Sequence, residues 1–99
     1  MGSIKPSEAL DRHRQAIRET TKRFNAANPR VFGSVARGED RVSSDIDILV
    51  DTLPDTTLLD LGGLQDALEN LLEAKVDLVT SKGIRSAMRE RILAEARPI

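Results

Sequence analysis

The spacing of apolar residues along the chain predicts an alternation of helices and strands. Leu10, Ile17 and Phe24 recur every seven residues, and His13, Thr20 or Thr21 and Ala27 fill the same stripe. Arg12, Arg14, Arg18, Glu19, Lys22 and Arg23 lie off it. This pattern predicts one helix from Ser7 to about Asn28, with Ser7 as its N-cap and Asn28-Pro29 as its stop. Arg30 to Gly33 reads as a short strand, Ser34 to about Gly38 as a turn or two of helix, and Glu39 to Ser44 as a polar loop. Ile46-Asp47-Ile48-Leu49-Val50 is the strongest strand, ended by Asp51-Thr52-Leu53-Pro54-Asp55. Leu58, Leu61, Leu64, Leu68, Leu71 and Leu72 mark an amphipathic helix whose leucines are core residues. Gly62-Gly63 weakens its start by about 1 kcal/mol per glycine. Val76 to Val79 is a further strand. A last helix runs from about Ile84 to Ala96, with Ile84, Met88 and Ile92 on one face and Pro98 closing it.

This order predicts an α/β (α+β) domain: a small mixed sheet of three or four strands with helices mainly on one face. No repeat or linker divides the 99 residues, so residues 1–99 read as one domain. Exposed sheet edges and a modest core point to association, with a second copy or with another chain.

Composition narrows the function. The chain has 15 basic and 16 acidic residues and a net charge of −1. A protein that grips long DNA or RNA carries a basic excess, so long nucleic acid is not the expected partner. Absence of cysteine excludes disulfides and thiolate metal sites, and a single histidine, His13, excludes a multi-histidine zinc site. With no Trp or Tyr to stack on a base, any base selectivity should be loose or partner-dependent. No apolar run approaches membrane length. The start, MGSIKPS, fits neither a signal peptide nor an N-myristoylation signal, because Pro6 stands where Ser or Thr is required. A cytoplasmic protein with no membrane partner is the expectation.

The chemistry concentrates in GSVARGEDRVSSDID, residues 33–47. Side chains alternate along a strand, so Asp45 and Asp47 point one way while Ile46, Ile48 and Val50 point into a core. Two ionised carboxylates on one face repel unless a cation lies between them, and Asp47 should titrate high beside Asp45. Hard divalent ions such as Mg²⁺ take this arrangement, with phosphates and water completing the shell. Asp77 is the one acid inside its apolar strand, and a strand beside 46–50 would bring it to the other two. Three acids around metal suit phosphoryl or nucleotidyl transfer by two ions. Gly33-Ser34 follows a strand and opens a helix, where backbone N–H groups receive anions and glycine allows close approach. Arg37 could reach a phosphate or pair with Glu39, Asp40 or Asp45. Ser44 reads as a turn residue supporting Asp45, since no histidine is near to activate it.

Together, Gly33-Ser34, Ala36-Arg37-Gly38, Ser44-Asp45-Ile46-Asp47 and Val76-Asp77 resemble the minimal nucleotidyltransferase (MNT) domains of the DNA polymerase β-like nucleotidyltransferase superfamily. The resemblance runs from the first helix to the third strand, with no departure at the motif positions. It implies nucleotidyl transfer from a nucleoside triphosphate, ATP as donor, with Mg²⁺, as two ions. Gly33, Ser34, Arg37 and Ser44 would lie at the nucleotide, and Asp45, Asp47 and Asp77 would form the catalytic and metal-binding set. Stand-alone members of this length resemble the antitoxin halves of HEPN/MNT toxin–antitoxin pairs. That implies AMP transfer to a tyrosine of a HEPN-type toxin partner. Two alternatives are a small-molecule nucleotidyltransferase of the antibiotic-modifying type and a non-catalytic antitoxin that acts by binding and occlusion.

Overall fold

The computed structural model describes residues 4–99; the reading of the first three residues lies outside it. Its helices are α1 (Pro6–Arg12), α2 (Arg14–Arg23), α3 (Gly33–Arg37), α4 (Leu58–Leu72) and α5 (Ser86–Glu95). Its strands are β1 (Ala26–Phe32), β2 (Ile46–Thr52), β3 (Val76–Thr80) and β4 (Arg97–Pro98). The sheet order is β3-β2-β1-β4. Strand β1 runs antiparallel to both β2 and β4, and β2 runs parallel to β3. The mixed sheet and the α+β class are as the sequence predicts.

Alternation along β2 and β3 divides the sheet into two faces. Ile46, Ile48, Val50 and Val76 join Leu10, Ile17, Leu64, Leu68 and Leu72 in the main core, so α1, α2 and α4 cover that face. A smaller cluster of Leu49, Ile84 and Ile92, with Phe32, Val79 and Ala96 against it, attaches α5 to the opposite face. No helix among the described residues is long and apolar enough to cross a membrane.

The structure corrects the sequence reading at several points. The predicted first helix is two helices that meet at His13, which leaves helical geometry with φ −120° and ψ 20°. Its end comes earlier too. Asn25 is left-handed with φ 58°, and β1 begins at Ala26, not Arg30. Asn28, also left-handed, lies where the β1–β2 register shifts between Ala27 and Arg30. Pro29 is tolerated because a bulge removes the ladder bond it cannot donate. Ser7 is not the N-cap of α1. Lys5 holds that position, Pro6 opens the helix, and the buried Asp40 carboxylate accepts from the Ser7 N–H at 2.9 Å.

In α4, Thr57 and Asp60 form a reciprocal capping box that offsets the two glycines. Gly63 also has a packing reason: a Cβ there would meet the Phe24 ring at 2.7 Å. Leu58 lies in the first turn and is 88% exposed, so it is not core. Helix α5 starts at Ser86, after Ile84, and Met88 is half exposed. Residues past α5 form β4, pairing Arg97 with Val31 and Pro98 with Arg30, and Ile99 is buried.

Candidate functional site

Three strand positions define the site. Phe32, the last residue of β1, pairs with Asp47 on β2, and Asp47 pairs in register with Asp77 on β3. The two acids therefore stand side by side on the face opposite the main core. Asp45 precedes β2 by one residue and contributes charge to the same place. The sheet thus brings Asp47 and Asp77 together, with Asp45 just before the start of β2.

The Asp47 carboxyl is pushed up to about 6. Burial is the largest cause, followed by the charge and hydrogen bonding of Asp77, with Asp45 and Glu95 adding smaller repulsions. The sequence reading has the direction right and the main causes wrong. The neighbour on the next strand outweighs the neighbour two residues back, because a parallel register holds the Asp77 side chain against Asp47.

Gly33 packs directly against this carboxylate. A Cβ at Gly33 would lie 2.1 Å from Asp47 Oδ2, and its φ of 75° is one that L side chains rarely adopt. Glycine is thus required twice, by the turn from β1 into α3 and by the approach of Asp47. Ser34 follows in the first turn of α3, half-buried. Gly38, left-handed with φ 72°, stops the helix by donating to the Ser34 and Val35 carbonyls.

Arg37 pairs with Glu39 at 2.6 Å, as the sequence allows. It does not pair with Asp40, which is engaged at α1. Its second partner is Glu95, the last residue of α5, at 2.7 Å. The same Glu95 oxygen accepts from the Gly33 N–H at 2.6 Å. The sequence reading missed Glu95, and no local signal marks it: it is one of two acids on α5, brought in by tertiary packing alone. Ser44 has the turn role expected of it, its hydroxyl accepting from the Arg41 N–H at 2.8 Å.

A cleft of about 450 Å³ opens beside Asp47 and Asp77. Leu78, Val79, Ile84 and Met88 give it an apolar wall, and Gln65 and Arg85 are among its polar lining. It lies over the β3 edge of the sheet.

Acids on adjacent strands, a glycine turn against them and an open cleft make up the candidate site. The nucleotidyltransferase domain family matches residues 10–99, and the chain belongs to that family. It is a nucleotidyltransferase, as related proteins agree. Protein adenylyltransferase MntA of Thermococcus cleftensis is 40% identical over 86 residues, 87% of this chain and 84% of that protein. A Methanocaldococcus jannaschii protein provisionally named a protein adenylyltransferase is 42% identical over 77 residues, 78% of this chain and 86% of the relative. A solved structure, provisionally described as a minimal nucleotidyltransferase, superposes with a TM-score of 0.88 at 45% identity over 99% of this chain and 100% of its own. A toxin–antitoxin crystal structure with AMP-PNP has a TM-score of 0.73 at 21% identity, covering 85% of this chain and 69% of that one; it shows the shared fold.

Proposed function

We propose that the chain transfers AMP from Mg²⁺-bound ATP to a tyrosine hydroxyl of a HEPN-type toxin and thereby acts as its antitoxin in the cytoplasm. The register of Asp47 beside Asp77, with Gly33 packed on Asp47, is the observation that carries the reading. The relatives named as protein adenylyltransferases support a protein acceptor.

Among the described residues no three or more His, Cys, Asp or Glu side chains stand together as a group that could hold a metal ion. Mg²⁺ does not need such a group, since it binds through one or two carboxylates with phosphates and water. The donor set fits a hard cation: the oxygens are carboxylate, and the negative charge on Asp47 is disfavoured where it stands. Two of Asp45, Asp47 and Asp77 would hold the metal, and the third would share it or take the tyrosine proton. Bound there, it would polarise the α-phosphate and neutralise the triphosphate.

The remaining work falls to this chain's residues. Gly33 and Ser34 present the α3 turn to the triphosphate, and Arg37 supplies a cation one turn on. Ser44 closes the turn that aims Asp45. The tyrosine oxygen attacks the α-phosphorus, the bond to the bridging oxygen breaks, and pyrophosphate leaves carrying that electron pair. The tyrosine proton passes to a site carboxylate. The relatives' names favour a folded protein acceptor over a small antibiotic.

The test is intact mass spectrometry of the chain mixed with Mg²⁺, ATP and the protein encoded beside it. A gain of AMP units on a neighbour tyrosine, absent with Asp45→Asn/Asp47→Asn, is the expected result. A stable complex that neutralises the toxin without any mass gain would replace transfer by occlusion.

A further inference from the structure

We infer that Glu95 is a latch on the nucleotide site: in the free chain its carboxylate takes the place of a phosphate oxygen, and nucleotide binding must expel it. The inference rests on the reading of Gly33-Ser34 as the triphosphate turn and adds a regulation of that site.

The contacts are specific. One oxygen of Glu95 accepts from both the Gly33 N–H, at 2.6 Å, and the Arg37 guanidinium, at 2.7 Å. These are the backbone donor and the cation that the triphosphate would use. The side chain of Glu95 is only 19% exposed, so it sits in the site and not in solvent above it. Glu95 also adds repulsion to Asp47, so a fourth acid stands among three that already repel. A carboxylate of fixed structural purpose would gain more from a place without those neighbours.

The element that carries Glu95 is attached through the smaller of the two apolar clusters. Helix α5 is held to the sheet by the small cluster of Leu49, Ile84 and Ile92, while the other long helices share the main core. Met88 and Leu93 on α5 remain largely exposed, at 50% and 41%. Elements with few buried apolar contacts open at lower free energy than the rest of a domain. A triphosphate that brings its own cation gains the Gly33 and Arg37 donors and ends the repulsion, but first has to displace Glu95 from both contacts, and that cost is subtracted from its affinity. The latch thus lowers nucleotide affinity in the free chain, and whatever draws α5 aside raises it.

Calorimetric titration of Mg²⁺ with ATP into the full chain tests this. Glu95→Gln should bind about ten-fold tighter than wild type. Glu90→Gln, which removes the same charge from an exposed position of α5, should stay within about two-fold. Amide hydrogen exchange over Ser86–Glu95 in the wild-type chain should quicken when nucleotide binds. Equal or weaker binding by Glu95→Gln, an equal gain from Glu90→Gln, or slower exchange in α5 would each overturn the latch while leaving the nucleotide site standing. If neither wild type nor Glu95→Gln binds, the nucleotide reading falls and the latch with it.

Discussion

Asp47 and Asp51 stand four residues apart on the same face of the same strand, and the fold treats them oppositely. Burial raises both carboxyls. At Asp51 that push is overcome by hydrogen bonds from Asn28 and Ser81 and by the Arg30 charge, and its carboxyl falls below the usual carboxylate range. At Asp47 the neighbours are Asp77, Asp45 and Glu95, and the carboxyl rises to about 6. One end of the strand is a finished ion pair and the other a surplus of negative charge. A protein retains such a surplus where something positive is to be bound.

The largest effect expected from that contrast is on activity. Asp47→Asn or Asp45→Asn should lower AMP transfer by roughly 10³-fold or more, since a metal ligand supplies several kcal/mol to the reaction. Asp51→Asn should leave the rate per folded molecule within a few-fold. Rates measured on the folded fraction decide this, and equal losses at both positions would erase the distinction drawn here.

Gly33→Ala comes next. The added methyl must displace the Asp47 carboxylate, and the left-handed φ opposes any Cβ. We expect a loss of about 1–2 kcal/mol in stability by denaturant titration. A loss of about 10²-fold in transfer should accompany it, because a reacting group misplaced by an ångström costs about that much. A Gly38→Ala variant, where a Cβ would meet nothing within 4 Å, should show the backbone strain without the loss in transfer.

Asp51→Asn has its own cost. It leaves Arg30, whose side chain is 15% exposed, without its charged partner. Asp51 itself is partly open to solvent, so about 1 kcal/mol of stability is the expected loss.

Asp47 and Asp51 also show what was legible in the sequence. The period-two pattern of Ile46, Ile48 and Val50 reveals the strand and the face its acids share. Motif order then singles out Asp45, Asp47 and Asp77, because each recognisable piece is local. Asp51 looks the same locally, and only the fold brings Arg30, Asn28 and Ser81 to it from β1 and the turn after β3. Glu95 was illegible for the same reason: it reaches Gly33 across 62 residues. The split of the first helix at His13 and the early start of β1 also escaped the pattern. Left-handed Asn25 lies just before β1 starts and a bulge at Asn28 carries the strand past Pro29, and neither leaves a periodic trace.

The smallest effect expected is on stability against pH, and its sign differs at the two acids. Asp47 has a folded pKa of about 6, above the ordinary 3.8. Between those values the folded state holds more protons than the unfolded one, so Asp47 makes the chain less stable as pH rises from about 4 through 6. Two pKa units correspond to about 3 kcal/mol, and solvent screening at this half-open site cuts that to about 1. Asp51 acts in reverse: its lowered pKa gives stability above the ordinary value that is lost as pH falls below it. Asp47→Asn should therefore raise Tm at pH 7 and leave it unchanged near pH 4, whereas Asp51→Asn should lower Tm at pH 7. Added Mg²⁺ should raise the wild-type Tm more at pH 7 than at pH 5, because it binds the ionised acids that the chain alone disfavours. A Mg²⁺ response equal at both pH values, or retained in full by Asp47→Asn, would place the ion elsewhere and return the charge surplus at Asp47 to an unexplained cost of the fold.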